Sequence, residues 1–326
     1  MNLPMKSREE LAPELGDLRQ FASVRRIMLD DGPERGVRAL AFSTGGGLDF
    51  WALADRSLDI GPLWWRGAQI AWQGPNGFRS PQLHAREEDG GRGFERSLSG
   101  LLVTCGLTHI RQPSGHHPLH GQLPLTPARL LSYGEDWKRP DPVLFCEGEV
   151  TEATFHGANL RLHRRIEAPI GGRMLRIIDT VENLDLTPQP LAVLYHFNLG
   201  YPLVRPGTTV RHGGVELLRL GEKGLPPIAC HDVAEQAEAT CRIEQPKADG
   251  EESVSLSLSF GTAWLSHLQT WQDMRPHRRI LGIEPATSRR LPDGSSGPAP
   301  VLAGRASADI RLSLTLATSR TGEGSC

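Results

Sequence analysis

Two histidine-containing segments and one glutamate have the residue types that general acid–base chemistry requires. The first segment, GHHPLHG, places His116, His117 and His120 within five residues, beside glycine and proline. Histidine titrates near neutral pH, so such a loop could bind a polar ligand or transfer a proton. The same cluster could equally be a solvated turn or supply ligands to a metal ion.

The second segment, LYHFNLGYP, has the alternation typical of a β-strand. Successive side chains of a strand point to opposite faces, so Tyr195 and Phe197 share one face, and His196 and Asn198 share the other. If the aromatic face packs in the core, the histidine and the asparagine are available to contact a ligand. The alternative is a histidine that is only hydrogen-bonded within the structure.

The third segment, ILGIEP, closes an apolar strand with Glu284 and Pro285. Partial burial raises the pKa of a carboxyl group, as a general base working near neutral pH requires. A solvated strand end is the alternative. Because one histidine and one glutamate suffice for acid–base catalysis, we expect no cofactor and no metal ion.

Short β-strands must position these side chains, because most of the chain alternates apolar and polar residues with a period of two. The clearest helical signal is Ser7–Gln20, in which Ser7 can cap the N-terminus and Pro13 interrupts the pattern. The alternation predicts a mostly antiparallel β protein with sheets packed face to face. The strongest strand candidates are Val37–Phe42, Arg161–Glu167, Leu175–Val181, Leu191–Phe197, Val254–Phe260 and Ile310–Leu316.

Composition argues against several classes of protein. The 326 residues carry 36 Lys and Arg against 38 Asp and Glu, without the excess positive charge of nucleic-acid-binding or membrane-surface proteins. There is no run of about 18 apolar residues and no apolar N-terminal segment, so we expect a cytoplasmic protein. The five cysteines are scattered, without CxxC spacing, and are interpreted as reduced thiols.

Taken in order, these segments resemble motifs of the aldose 1-epimerase superfamily, also called galactose mutarotase-like. The matching residues are Leu119-His120-Gly121, Glu182-Asn183-Leu184, His196-Phe197-Asn198-Leu199 and Gly282-Ile283-Glu284-Pro285. Within the superfamily the chain is similar to the DUF4432 branch, through the segments DRSLDI, GLLVTCGL and YHFNLGYP. The resemblance covers about residues 35 to 320.

The resemblance implies a single galactose mutarotase-like domain over residues 1–326, with residues 1–34 as an N-terminal helical or strand extension. The implied fold is mostly β, an antiparallel β-supersandwich with few short helices. Its site would lie in a cleft on the concave face of one large sheet. We expect Asp55, Arg56 and Asp59 to form a structural ion-pair network, with Arg56 or Asp59 reaching the cleft as the alternative.

The resemblance also implies a reaction, the interconversion of the anomers of a free or modified monosaccharide. By analogy, His196 donates a proton to the ring oxygen, Glu284 removes the proton of the anomeric hydroxyl, and His120 is a second hydrogen-bond donor. In typical members two residues separate the histidine from Phe-Asn-Leu, whereas here His196 is adjacent to Phe197. A shift of one residue moves a side chain to the other face of a strand, so the face of His196 is left open.

The expected substrate-binding residues are Arg111, Asn198, Trp271 and Gln272. Trp271 could pack on the apolar face of a pyranose or in the core. A second set of residues could contact a phosphate or carboxylate group of the substrate or simply cover the surface. That set comprises Arg111, Arg205, Arg289 and Arg290.

Two other functions are left open. One is a carbohydrate-binding protein without catalysis. The other is a metal-dependent sugar isomerase or lyase, in which the histidines of GHHPLHG act as ligands with His196 and Glu284. In each case the expected partner is a small-molecule carbohydrate, not a nucleic acid or a membrane, and a homodimer is left open.

Overall fold

The computed structural model describes residues 7–83, 88–222, 224–246 and 252–320 of the chain. Most of these residues lie in β-strands, and every pairing between the strands is antiparallel. The strands are β1 (Ser23–Met28), β2 (Arg38–Ser43), β3 (Leu48–Leu53), β4 (Asp59–Trp65), β5 (Ala68–Gln69), β6 (Leu102–Cys105), β7 (Arg129–Asp136), β8 (Val143–Ala153), β9 (Asn159–Pro169), β10 (Met174–Asn183), β11 (Gln189–Pro190), β12 (Leu194–Leu199), β13 (Thr209–His212), β14 (Val215–Arg219), β15 (Ala229–Asp232), β16 (Glu238–Glu244), β17 (Glu252–Gly261), β18 (His267–Asp273), β19 (Ile280–Ala286), β20 (Val301–Leu302) and β21 (Ser307–Arg320).

Three larger sheets and one strand pair organise these strands. The N-terminal sheet has five strands in the order β1-β2-β3-β4-β5. The large sheet has nine, in the order β14-β13-β16-β17-β21-β10-β9-β8-β7. A second five-stranded sheet, β15-β18-β19-β12-β6, carries most of the candidate residues and is called the site sheet below; β11 and β20 form the separate pair.

The main core contains the apolar faces of the large sheet and of both five-stranded sheets. The segment SVSLSLSF lies in β17, where Leu256, Leu258 and Phe260 are buried opposite leucines of β21. Each such side chain contributes about 1.5–3 kcal/mol when it leaves water. The predicted antiparallel β architecture is therefore confirmed, and the period-two pattern identified the face that packs inward.

The helices are short. The predicted helix over Ser7–Gln20 was too long: α1 covers only Arg8–Leu11, with a capping box between Ser7 and Glu10. Pro13 has no amide hydrogen with which to continue the helix. A second helical segment, α2 (Glu88–Gly91), contains three residues with positive φ. The 3-10 turns are Leu18–Gln20, Gly32–Glu34, Pro81–Leu83, Gly93–Arg96 and Leu123–Leu125.

None of the helices in the described part of the chain could span a lipid bilayer, because each has only three or four residues.

A buried ion network joins the core-facing side of the site sheet to the large sheet. The guanidinium of Arg164 pairs with Asp179 at 2.6 Å and with Asp59 at 3.0 Å. The hydroxyl of Tyr195 donates to Asp179 at 2.7 Å, and the hydroxyl of Thr104 donates to Asp59 at the same distance. The structural network expected around Arg56 and Asp59 is thus present, and it anchors β12 and β6 from the core side. Asp55, expected in the same network, instead pairs with Arg38.

Arg56 completes this network without approaching solvent. Its guanidinium lies 3.6 Å from Asp59 and donates to the backbone carbonyls of Ser99 and Leu102. Desolvation lowers the pKa of Arg56, and the Asp59 carboxylate opposes that effect. Both side chains are buried, so their role here is structural.

Candidate active site

His196 and Glu284 face each other across two neighbouring strands of the site sheet. The register pairs Leu194 with Ala286 and Phe197 with Ile283, which brackets the two residues and sets them opposite one another. His196 Nε2 lies 3.5 Å from Glu284 Oε1. A histidine and a carboxylate in this position can act on adjacent atoms of one ligand.

The face of His196 follows from its neighbours. Tyr195 and Phe197 are buried in the main core, so strand alternation turns His196 to the opposite side, toward Glu284. His196 is 6% exposed and Glu284 is 1% exposed. The adjacency of His196 to Phe197 therefore does not move the histidine to the core face.

The site lies on the five-stranded site sheet and not on the nine-stranded large sheet. The expectation of a cleft on one large sheet is corrected here, because the strands that carry His196 and Glu284 belong to the five-stranded site sheet. A second apolar cluster, which includes Phe94, Val103, Leu194 and Ala286, packs beside His196.

Glu284 is held by one of its two oxygens. Gln269 is its direct neighbour on β18, and Gln269 Nε2 donates to Glu284 Oε2 at 2.5 Å. Burial raises the pKa of Glu284, while the nearby charges of His196 and Arg111 and the hydrogen bond from Gln269 oppose that rise. The remaining oxygen, Oε1, faces His196 and can accept a proton.

Gly282 makes room for this carboxylate. A Cβ at position 282 would lie 2.8 Å from Glu284 Oε1 and 3.1 Å from Trp271 Cε3. Gly282 and Glu284 share a face of β19, so the side chain of Glu284 folds over the bare backbone of Gly282. The spacing Gly-Ile-Glu in the sequence indicates this arrangement, since residues two apart on a strand share a face.

Arg111 orients Gln269. Its Nε donates to Gln269 Oε1 at 3.1 Å, and its terminal nitrogens donate to the Ser288 carbonyl at 2.6 Å, to Ser288 Oγ at 3.1 Å and to Ser296 Oγ at 3.0 Å. Because the amide oxygen of Gln269 accepts from Arg111, its amide nitrogen must face Glu284. Arg111 was expected to bind the substrate, but most of its N–H groups donate to other protein groups.

Gln272 is placed differently from the expectation. It pairs with Leu281, and alternation along β18 puts it on the same side as Leu268, facing the core. Gln269 and Trp271 share the site face instead. Counting by twos back from Trp271 would have identified Gln269 as the glutamine of the site.

His120 reaches the site from a loop and is neutral. Its backbone N–H donates to the Arg111 carbonyl at 2.8 Å, and its Nδ1 accepts from the Arg111 N–H at 3.4 Å, so Nε2 carries the ring proton. The ring centroid of His120 lies 5.7 Å from that of His196. Burial, and after it the charge of His196, keep the pKa of His120 well below its ordinary value.

The geometry of this loop depends on Gly121. His120 has φ of 63° and Gly121 has φ of 77°, both in the left-handed region. A Cβ on Gly121 would lie 2.4 Å from the carbonyl oxygen of His109, a distance that no side chain tolerates. The motif Leu-His-Gly thus requires its glycine in order to present the histidine.

Two aromatic rings flank the histidines. The ring of Trp271 meets His196 edge-on at 5.9 Å, and Trp271 keeps part of its surface exposed. Phe94 lies 4.8 Å from His120 and 6.3 Å from His196. Phe94 was not predicted, because it lies in an irregular segment with no periodic pattern.

Two buried polar atoms on the site face have no hydrogen-bond partner within the described part of the chain. They are Nδ1 of His196 and Oδ1 of Asn198. The amide nitrogen of Asn198 donates to the Gly100 carbonyl at 3.3 Å, which fixes the orientation of its side chain. Asn198 is fully enclosed, so it lines the floor of the site rather than its opening. Unsatisfied buried polar atoms are rare and mark places where a polar ligand or water binds.

The other histidines of GHHPLHG lie away from this arrangement. His117 stacks on His109 with ring centroids 4.9 Å apart, and His116 is exposed. In the described residues, no group of three or more His, Cys, Asp or Glu side chains is arranged to hold a metal ion.

Comparison with known families and structures gives a consistent set of similarities. The profile of a family described as a domain of unknown function, DUF4432, matches residues 34–316. A candidate aldose 1-epimerase from Klebsiella pneumoniae subsp. pneumoniae superposes with a TM-score of 0.71 at 20% identity, over 90% of this chain and 83% of the other. No curated protein sequence matches the chain.

Two further structures share the fold at lower similarity. A galactose mutarotase-like protein from Clostridium acetobutylicum has a TM-score of 0.55 and 14% identity, over 91% of this chain and 98% of the other. A galactose 1-epimerase from Lactobacillus acidophilus has a TM-score of 0.51 and 9% identity, over 91% and 99%. At these identities the likeness concerns the fold alone.

Proposed function

The chain belongs to the DUF4432 family, and from that premise we propose that it is an aldose 1-epimerase-like isomerase that interconverts the anomers of a monosaccharide by acid–base ring opening. The observation that carries the proposal is the opposed pair His196 and Glu284, with Nε2 and Oε1 3.5 Å apart. The anomeric hydroxyl and the ring oxygen of a sugar are bonded to the same carbon, so they require an acid and a base at such a short separation.

The reaction runs in two symmetrical halves. Glu284 Oε1 takes the proton of the anomeric hydroxyl as His196 donates a proton to the ring oxygen, the bond between that oxygen and the anomeric carbon breaks, and a free aldehyde forms. Rotation of the aldehyde and the reverse proton transfers close the ring on its other face. Each positioned acid or base typically contributes about 10²–10⁴-fold, or roughly 3–5 kcal/mol.

The surrounding residues support both roles. Gln269 and Arg111 hold the second oxygen of Glu284, which leaves Oε1 directed at the reacting atoms. The neutral His120 offers an Nε2–H donor beside His196, suited to the ring-oxygen side of the sugar. The exposed part of Trp271 offers an apolar surface at the edge of the site.

A cytoplasmic location is part of the same proposal. The four cysteines in the described residues, Cys105, Cys146, Cys230 and Cys241, are unpaired, which fits a reducing compartment. The structures with a similar fold include proteins named for epimerase or mutarotase activity, which supports the reaction class.

The direct test measures anomer exchange for a panel of aldoses by NMR exchange spectroscopy or polarimetry. We expect the natural protein to accelerate the exchange of at least one sugar, and Glu284→Gln and His196→Ala to lose about a hundredfold or more of that rate. The exposed residues Glu238 and His156 provide matched controls, since Glu238→Gln and His156→Ala should leave the rate unchanged.

Two results would overturn the proposal. One is an exchange rate equal to that of buffer for every sugar in the panel. The other is a rate that survives in both site variants. Saturable sugar binding without exchange would identify a carbohydrate-binding protein instead.

A further inference from the structure

A cavity adjoins the row of site residues at the β15 end of the site sheet. It has a volume of about 360 Å³ and is lined by Ile228, Cys230, Arg289, Arg290, Leu291 and Pro292. We call it the arginine cavity. Its lining combines apolar side chains with those of two consecutive arginines.

The arginine cavity and Glu284 are connected by a row of paired residues that crosses the site sheet. Cys230 pairs with Gln269 on the next strand, and Gln269 pairs with Glu284 on the strand after that. Neighbouring strands lie about 5 Å apart, so the cavity begins about 10 Å from Glu284 along the sheet. Cys230, Gln269 and Glu284 thus form one row across three neighbouring strands, with the arginine cavity at its β15 end.

The two arginines of the cavity have no ion-pair partner among the residues that the structure describes. Arg289 is exposed, and Arg290 donates to the Leu291 carbonyl at 3.2 Å. Other arginines, such as Arg219 and Arg275, each pair with a neighbouring carboxylate at 2.6 Å. Two guanidinium groups at the rim of a cavity are thus available to a ligand.

The nearby carboxylates do not form ion pairs with Arg289 or Arg290 in the described part of the chain. Asp293 is exposed and accepts hydrogen bonds from the backbone and hydroxyl of Ser295. Asp232 is the last residue of β15; it is exposed and is the register partner of His267. Neither carboxylate lines the arginine cavity. The hydrogen bonds from Ser295 lower the pKa of Asp293, and burial raises the pKa of Glu284; in both cases the charge of Arg290 favours the ionised form.

We propose that the substrate is an anionic sugar, whose phosphate or carboxylate group binds to Arg289 and Arg290 while its ring oxygen and anomeric hydroxyl contact His196 and Glu284. Guanidinium groups bind both anions through paired, charge-assisted hydrogen bonds. The apolar lining residues Ile228, Leu291 and Pro292 contact the carbon skeleton. This inference rests on the proposed isomerase function.

Cys230 provides a reporter inside the cavity that does not depend on turnover. Cys105, Cys146 and Cys241 are buried, whereas Cys230 is partly exposed. Peptide mass spectrometry can therefore follow the alkylation of Cys230 by iodoacetamide, a neutral reagent, in the full-length protein. The probes are glucose 6-phosphate, glucuronate, glucose and inorganic phosphate.

We expect at least one of the two anionic sugars to slow the alkylation of Cys230 at concentrations at which glucose and inorganic phosphate do not. In Arg289→Gln/Arg290→Gln, the concentration that gives half-protection should rise about tenfold or more, because a charge-assisted hydrogen bond is lost. The control Arg173→Gln/Arg311→Gln removes two exposed positive charges elsewhere and should leave protection unchanged.

Three outcomes would overturn the inference: no protection by either anionic sugar, equal protection by inorganic phosphate, or protection that persists in Arg289→Gln/Arg290→Gln. Anomer exchange separates this test from that of the isomerase. Protection without exchange would support an anion-binding cavity and refute the reaction. Exchange of neutral aldoses at a rate unaffected by Arg289→Gln/Arg290→Gln would support the reaction and refute the anionic substrate.

Discussion

Gln269 and Glu284 lie opposite each other on adjacent strands, and the amide nitrogen of Gln269 donates to Oε2 of the carboxylate at 2.5 Å. The two carboxylate oxygens of Glu284 therefore have different contacts. One is fixed by the protein, and the other faces His196. Arg111 determines the orientation of the Gln269 amide, so a charged residue on a loop directs the amide N–H that donates to Glu284 in the sheet.

Replacing Gln269 should raise the pKa of Glu284 further. In Gln269→Leu the donor to the ionised carboxylate is lost, and burial then acts with less opposition. We expect a larger loss of exchange rate at about pH 6 than at about pH 8, since less of the base is ionised at the lower pH. The exposed Gln73 provides the control Gln73→Leu.

The titration of Glu284 can also be followed without a substrate. Carbon-13 labelling of glutamate carboxyl groups, with Glu284→Gln to assign the signal, reports its midpoint directly. A midpoint that is the same in the natural protein and in Gln269→Leu would refute the positioning role of Gln269.

Glu284 should reduce stability at neutral and alkaline pH. Its pKa in the folded protein lies above the ordinary value of 4.5, so the folded state favours the protonated form. The stabilising contribution of the protonated group is complete below the ordinary pKa and is lost as pH rises through the raised one. Glu284→Gln should therefore melt about 2 °C or more above the natural protein at about pH 8, with a smaller difference at about pH 4. Thermal unfolding at several pH values checks the sign, and a gap that widens on acidification would contradict it.

Gly282→Ala tests the space beneath the carboxylate. The added Cβ would meet Glu284 Oε1 at 2.8 Å, so the carboxylate must move from its place opposite His196. Displacement of a reacting group by about 1 Å costs on the order of a hundredfold in rate. We expect such a loss of anomer exchange with nearly unchanged sugar binding.

Gly261, in β17, is the matched control for that substitution. A Cβ at Gly261 would have no heavy atom within 4 Å, so Gly261→Ala should leave activity intact. Equal activity in both alanine variants would show that Glu284 does not depend on the shape of Gly282.

His120 should remain neutral across the physiological range. Burial and the charge of His196 hold its pKa well below the ordinary 6.5. Its imidazole resonances should not shift between about pH 6 and pH 8 in an NMR titration, with His120→Asn used for assignment. A midpoint near 6.5 would contradict the enclosed environment described for its ring.

Tyr195→Phe should destabilise the fold without touching the site face. The substitution removes the hydroxyl that donates to Asp179 at 2.7 Å and leaves that buried carboxylate with fewer donors. We expect a loss of about 1–3 kcal/mol in urea unfolding. Tyr133 is 42% exposed, so Tyr133→Phe should change stability much less. A loss as small as that of the control would refute the contribution of the Tyr195 hydroxyl.

Alternation along single strands could be predicted from the sequence. It correctly placed Tyr195 and Phe197 on the core face of β12, and His196 and Asn198 on the opposite face. The partners of a strand could not be predicted this way, because pairing depends on contacts between residues far apart in the chain. The register that sets Gln269 beside Glu284 therefore became apparent only in the structure. The same limit explains the choice of Gln272, which has the right residue type and the wrong face.

Loops were the least predictable part of the site. Phe94 lies in an irregular segment, and no periodic pattern distinguishes it from its neighbours. Arg111 could be named as a functional residue, but its four hydrogen bonds to Gln269, Ser288 and Ser296 involve residues more than 150 positions away in sequence. Its role follows from tertiary contacts that local pattern does not encode.

The acid–base pair lies on strands, whereas the arginines of the cavity lie on the segment that follows β19. Strand positions 196 and 284 are fixed from behind by the core and the ion network, so the fold itself holds the two reacting side chains in place. Segments beyond the strand ends carry no such constraint. A lineage with this architecture could acquire preference for a new sugar by exchanging those segments, while inheriting its chemistry intact.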